Sequence, residues 1–232
     1  ACSTASGYKS CAVGVGSTAS GYKSCTTSAG VQGSAYGDRS CATGISASAF
    51  GSLAKATATS ATAIGRVSLA SGVESTVVGF TSTASGVCSS AYGWKSCATG
   101  AQSSAFGWCA TASGVYSTSF GVKSIASVNY GTSFGYHSCT TGNSASAFGL
   151  ASCATGANST ASGYKSIASG ADSIAVGWKS CATQQKSTAI GWEAKALGEC
   201  STVVGKSSCA TVAYASVFGL GAIVSGSQGI SV

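Results

Sequence analysis

Read along the chain, apolar and polar residues alternate in steps of two, and nearly every seventh position is punctuated by glycine. The recurring half-unit is x-x-Ser-x-Ala-x-Gly, as in SCATG at Ser40–Gly44, SSAFG at Ser103–Gly107 and STAIG at Ser187–Gly191. A period of two is the signature of a strand. Each half-unit therefore predicts five strand residues and a two-residue corner. The third and fifth columns are nearly always Ser or Ala, whereas the fourth and sixth vary in size and charge and include Lys55 and Lys195. A two-sided coil this short has a thin interior, so the small columns must point inward and the variable columns outward. The lysines agree, because an unpaired buried lysine is costly. Interior Ser hydroxyls should then bond to backbone or to one another.

The glycines fix the repeat. Counting by fourteen from Gly37 gives Gly51, Gly65 and onward to Gly219 without a miss; Gly7 and Gly21 join this series after a two-residue insertion near 28–29, in SCTTSAG before Gly30. A second series runs midway, from Gly14 and Gly44 through Gly72, Gly86 and Gly100 to Gly226, interrupted by Ala58, Val128, Gln184 and Val212. The unit is a fourteen-residue coil of two unequal halves. A coiled coil is excluded, because each glycine inside a helix costs about 1 kcal/mol and no Leu/Ile seam is present. The expectation is an all-β, flattened solenoid with two parallel sheets and about sixteen coils, one continuous array over 1–232. At a rise of ~4.8 Å per coil its length is about 75 Å. Both ends fall in phase with the repeat, so the array is expected to continue in a longer chain.

Composition narrows the chemistry. Of 232 residues 33 are Gly, none is Pro or Met, and 7% are charged, against roughly a quarter in ordinary domains. Such a fold stacks small residues rather than filling a wide core. The net charge is +7, but the basic residues are spread from Lys9 to Lys206, unlike a concentrated nucleic-acid patch. No run approaches the roughly 18 apolar residues of a membrane span, so no direct membrane insertion by this segment is expected. The acidic residues Asp38, Glu74, Asp172, Glu193 and Glu199 occupy unrelated places, and His137 is the single histidine, read as a surface turn residue. No catalytic pair, zinc spacing or cofactor motif can be named, and stacked shallow faces offer no concave site for an enzyme.

The outward columns carry the candidate chemistry. On one half, the sixth column reads Tyr36, Phe50, Ile64, Val78, Tyr92, Phe106, Phe120, Phe134, Phe148, Val176, Ile190, Val204 and Phe218. Such an apolar stripe on a monomer invites association; its simplest solution is a parallel oligomer, its alternative a patch that binds something else. The other half shows a ladder of Thr27, Thr43, Thr57, Thr99, Thr141, Thr155, Thr183 and Thr211. Its corners bring aromatic and basic residues together, in Tyr8–Lys9, Tyr22–Lys23, Trp94–Lys95, Tyr164–Lys165 and Trp178–Lys179. Two readings stand for this edge: stacking with spaced charge for solubility, or a ligand edge for a glycan or matrix polymer.

Twelve cysteines in a weakly charged chain point to an oxidising compartment. Eight share the fourth column of the second half, and Cys11, Cys25 and Cys41, like Cys139 and Cys153, fall on successive coils. Their expected Cα spacing of ~4.8 Å lies inside the disulfide window, although parallel side chains need some twist to meet. Rung-to-rung disulfides and free or interchain thiols both fit.

The units STAIG, SIAVG (Ser173–Gly177), STVVG (Ser75–Gly79 and Ser201–Gly205) and SLAKATATSATAIG (Ser52–Gly65) resemble the head repeats of trimeric autotransporter adhesins. The resemblance spans essentially the whole chain. It implies a left-handed parallel β-roll, assembled as a parallel homotrimer with the Val/Ile columns toward the trimer axis. It departs from that family in its twelve cysteines, since such heads are generally cysteine-poor. The function expected is a non-enzymatic extracellular or cell-surface head or fibre that attaches to host surface, matrix polymer or glycan. The alternatives are a structural filament or viral or phage fibre cross-linked through cysteines, and an ice-binding solenoid using the Thr/Ser ladder. Against ice binding, Lys55, Leu69 and Ile125 break the uniformity of that face.

Overall fold

The computed structural model describes residues 2–27, 31–226 and 229–231. Among them every regular element is a β-strand and every pairing is parallel. The chain forms two compact units, residues 1–116 and 117–232. Each is a parallel β-solenoid, and together they supply about sixteen coils. In residues 1–116 a coil consists of a three-residue long strand, such as Ser34–Tyr36, and a two-residue short strand, such as Cys41–Ala42. Long strands pair with long strands and short with short, fourteen residues on, as in Ser34↔Ser48 and Cys41↔Lys55. Residues 117–232 repeat the plan, with Thr132–Phe134 paired to Ser146–Phe148 and Cys139–Thr140 to Cys153–Ala154.

The insertion expected near 28–29 lies outside the described residues. The register on either side is spaced by 14 residues at Cys11↔Cys25 and by 16 at Cys25↔Cys41.

The inward and outward columns follow the sequence alternation. In residues 1–116 the interior is a file of fully buried alanines, with Val77 in one slot. In residues 117–232 it is again alanine, with Val203 and Val217. Lys55 and Lys195 are exposed. The interior hydroxyls bond in both ways foreseen, except at Ser75, Ser96, Ser103, Ser159 and Ser173, whose buried Oγ atoms find no partner among the described residues. Ser40 Oγ donates to the carbonyl of Gly37 at 3.1 Å and Ser138 Oγ to that of Gly135 at 3.1 Å, closing the corner between them. Where serine replaces an interior alanine, it finds a second serine, as in Ser119–Ser124 at 2.5 Å and Ser133–Ser138 at 2.7 Å.

The strands are shorter than the five residues the alternation predicts, because the corners take more of each half. The second corner residue adopts a left-handed conformation whatever its identity, including β-branched Val67 (φ 59°) and Thr81 (φ 56°). Such residues cost of order 1 kcal/mol or more locally. The compensation is that the ladder continues around the bend: Val67 N–H donates to Ser52 O at 2.9 Å and Thr81 N–H to Arg66 O at 3.0 Å.

The two glycine series differ in physical cause. Gly135, after a long strand, has φ +135°, and a Cβ there would sit 2.3 Å from the next coil's Gly149 carbonyl oxygen. Gly142, after a short strand, has no positive φ and is constrained only by the close approach of Gly156. The first series is unbroken, and the second admits Ala58, Val128, Gln184 and Val212.

Candidate functional site

Three surfaces leave the coil: the outward face of the long strands, that of the short strands, and the corner that follows each long strand. The long-strand face presents two columns, Thr or Ser in the middle of the strand and aromatic or branched residues at its end. In residues 1–116, Tyr36, Phe50 and Ile64 are about 40% exposed, and Val78, Tyr92 and Phe106 are half-buried. Tyr36 stacks on Phe50 with centroids 5.2 Å apart, and Tyr92 on Phe106 at 4.9 Å. In residues 117–232, Phe120, Phe134, Phe148, Val176, Ile190 and Phe218 are exposed and Val204 is half-buried. Phe120 and Phe134 stack at 4.7 Å. The parallel register forces this: identical columns on successive coils superpose, so one aromatic per coil makes a rib. Ser6, Ser20 and Ser162 occupy the same column.

The corner edge gathers the aromatic and basic residues that the sequence singles out. In residues 1–116, Tyr8 stacks on Tyr22 at 5.6 Å and Trp94 on Trp108 at 5.1 Å. In residues 117–232, Tyr164, Trp178 and Trp192 stack in sequence at 5.9 and 4.0 Å. The left-handed conformation of the second corner residue folds its side chain back over the ring before it. Lys95 Nζ lies 4.3 Å from the Trp94 centroid and Lys179 Nζ 4.1 Å from that of Trp178. Lys9, Lys23 and Lys165 do the same over Tyr8, Tyr22 and Tyr164 at 5.1–5.3 Å. Each such contact is worth about 0.5–1 kcal/mol at an exposed site. His137 is exposed at a corner, with its ring 4.5 Å from that of Tyr136.

This edge is not as flat as its sequence suggests. Between the corner ribs and the short-strand face run open grooves. One, of about 390 Å³, is lined by Leu53, Lys55, Val67, Ser68, Leu69, Thr81 and Thr83. A second, of about 420 Å³, is lined by Lys165, Ile167, Lys179, Ser180, Cys181, Glu193 and Lys195. The first is mostly apolar; the second is lined by three lysines and one glutamate, among them Lys179, whose Nζ lies over Trp178. Sequence columns name the members of this groove but not its depth, which comes from corner residues standing clear of the strand surface.

The short-strand face carries the thiols and the threonine ladder. All twelve cysteines are thiols in the structure. Cys25 Sγ is 2.6 Å from Cys41 Sγ, and burial, then the hydrogen bond to Cys41, pushes the Cys25 thiol up to about 12. Cys139 and Cys153 are register partners joined by a hydrogen bond. That hydrogen bond brings Cys153 down to about 7 and holds Cys139 far above the usual thiol range; the two titrate as a pair. Burial raises Cys97 and Cys181. Cys88, at a corner, donates to Glu74 Oε2 at 3.4 Å, and that bond raises its thiol. The threonine column is interrupted by serines and by Leu197, and the cysteine column beside it holds Lys55, Leu69 and Ile125.

A family model described as the YadA head domain repeat, two copies, matches residues 3–24, 42–68, 70–96, 98–124, 112–138, 154–180 and 182–208. These segments cover well over half of the chain. The chain belongs to the YadA head family. As a trimeric autotransporter adhesin head domain it is an adhesin-type repeat, and its all-β parallel solenoid is the fold expected from the STAIG and STVVG units. A comparison with curated proteins finds no match. Among the described residues no helix is long and apolar enough to cross a membrane.

Proposed function

We propose that the chain is the non-enzymatic head of an extracellular, cell-surface adhesin: a parallel homotrimer that attaches to host or matrix polymers through its corner edge. The observation that carries this reading is the exposed rib of the long-strand face, with Phe50, Phe120, Phe134 and Phe148 each between 39 and 50% exposed. A file of large apolar side chains in one column is satisfied by a like column on a second and third chain. Packing three long-strand faces together removes that apolar area from water, at roughly 25 cal/mol per Å². It leaves the corner edges and their Trp/Lys ribs at the outside.

The edge chemistry favours an anionic polymer, a sulfated or uronate-bearing glycan above all. Lys165, Lys179 and Lys195 line a groove beside the Trp178–Trp192 stack and would meet the anionic groups of such a polymer. The mixed column around Lys55 and Ile125 disfavours the ordered lattice that ice binding needs.

The experiment is a solid-phase binding series on heparin-like sulfated polysaccharide against a neutral polysaccharide, with ionic strength varied. The expected result is saturable binding to the sulfated polymer that weakens from 50 to about 300 mM salt as screening shortens the reach of exposed charges. Equal retention on both polymers, or none on either, overturns the anionic-ligand reading.

A further inference from the structure

The short-strand face sets cysteines in register on adjacent strands at two places. In residues 1–116, Cys11, Cys25 and Cys41 are successive register partners, and the Cys25 and Cys41 sulfurs are in direct contact at 2.6 Å. In residues 117–232, Cys139 and Cys153 are register partners and share a hydrogen bond. The other cysteines of this column meet different residues. Cys97 lies between Thr83 and Thr111, Cys181 between Ile167 and Lys195, and Cys209 between Lys195 and Ile223.

A second observation sets the same two places apart. The interior slot next to this column holds alanine in every short strand except three, of which one is Val224 at the last short strand. The other two are Thr26 and Thr140, beside Cys25 and Cys139. Thr26 Oγ1 donates to Ser17 Oγ across its own coil at 2.9 Å, and Thr140 Oγ1 donates to Ile125 O of the preceding coil at 3.3 Å. The chain thus writes one two-coil module twice: SCTT at Ser24–Thr27 followed by SCAT at Ser40–Thr43, and SCTT at Ser138–Thr141 followed by SCAT at Ser152–Thr155. In the first copy the two cysteines bracket the coil whose register spacing is 16 rather than 14.

We infer that Cys25–Cys41 and Cys139–Cys153 are two rung-to-rung dithiol couples that close to disulfides on the outer face, while Cys11 keeps its thiol. The Cα spacing of adjacent parallel strands, ~4.8 Å, lies within the 4.4–6.8 Å that a disulfide spans. The oxidant is an external low-molecular-weight disulfide. One cysteine of the couple attacks it as thiolate, forming a mixed disulfide and releasing one small thiol. The second cysteine then attacks the mixed disulfide, forming the protein S–S bond and releasing the second small thiol. Two electrons pass to the external disulfide, and both protons end on the released thiols. In the second couple either register partner serves as the first thiolate and the other as the resolving one.

The test uses the native chain, incubated with glutathione disulfide, alkylated and digested with trypsin. Cleavage after Lys9, Lys23, Arg39 and Lys55 places Cys11, Cys25 and Cys41 on three separate peptides, 10–23, 24–39 and 40–55. The inference expects 24–39 joined to 40–55, 10–23 alkylated, and the 124–165 peptide two hydrogens lighter with Cys139 and Cys153 unalkylated. Alkylation at all five positions, or 10–23 joined to 24–39, overturns it. The same digest of two variants checks selectivity. Cys11→Ala should leave the 24–39/40–55 link intact, and Cys41→Ala should leave Cys25 alkylated. Transfer of the full cross-link yield to Cys11 in Cys41→Ala contradicts the pairing. None of these outcomes depends on trimer formation or ligand binding.

Discussion

On the long-strand side of one coil, Phe134 stands 50% exposed beside Thr132; on the short-strand side of the same coil, Cys139 is half-buried beside Thr141. Between them lies a single layer of buried Ser133, Ser138 and Thr140, with Ser133 and Ser138 joined at 2.7 Å. One interior therefore supports two unlike surfaces. The interior is constrained by the width of the coil, which admits little beyond Ser, Ala, Thr and Val. The outward columns have no such limit and hold whatever the face is for: aromatic ribs where chains are proposed to meet, thiols and hydroxyls where they are not.

The comparison breaks most severely from the inside. Ala147 is fully buried, and Ala147→Leu adds bulk to a layer with nowhere to expand. A loss of about 3 kcal/mol or more is expected from such overpacking, read as a collapse of the urea midpoint. The next largest effect is on the long-strand face. Phe134→Ser with Phe148→Ser should keep the strand signature in circular dichroism, because Ser6, Ser20 and Ser162 already occupy that column. It should nevertheless weaken self-association at least tenfold, about 1.4 kcal/mol. Unchanged association in the double variant would place the chain contacts elsewhere.

On the edge, Trp178→Ala removes the middle of the Tyr164–Trp178–Trp192 stack and the ring that holds Lys179 beside the groove. A roughly tenfold loss of binding to the sulfated polymer is expected, with the urea midpoint moved far less than by Ala147→Leu. The thiol pair gives a pH signature. Alkylation of Cys153 should rise with pH through about 7, since the thiolate is the reactive form and its pKa is lowered by the Cys139 hydrogen bond. Cys139→Ala removes that bond and should move the rise up toward the ordinary thiol range near ~8.5. The smallest effect belongs to Lys55→Thr on the exposed short-strand face, within about 0.5 kcal/mol.

Much of this was legible in the alternation. Ser40 and Ala42 inside, Lys55 outside, and the unbroken series from Gly37 follow from the pattern of period two and the count of fourteen. The corners were not legible. Nothing local in Val67 or Thr81 favours a left-handed backbone; the hydrogen bonds of the neighbouring coil impose it, and in doing so shorten the strands and lift the corner residues into groove walls. The cysteine columns were legible as columns. Which sulfurs meet depends on side-chain approach, and the mark of the pairs, Thr26 and Thr140 in alanine slots, gains meaning only beside that contact.

The central claim is that the long-strand faces bring three chains together, and sedimentation equilibrium of the chain tests it most directly. The account predicts a single species of three times 22.2 kDa, dissociating in the Phe134→Ser/Phe148→Ser variant. A monodisperse particle of 22.2 kDa at micromolar concentration would contradict it.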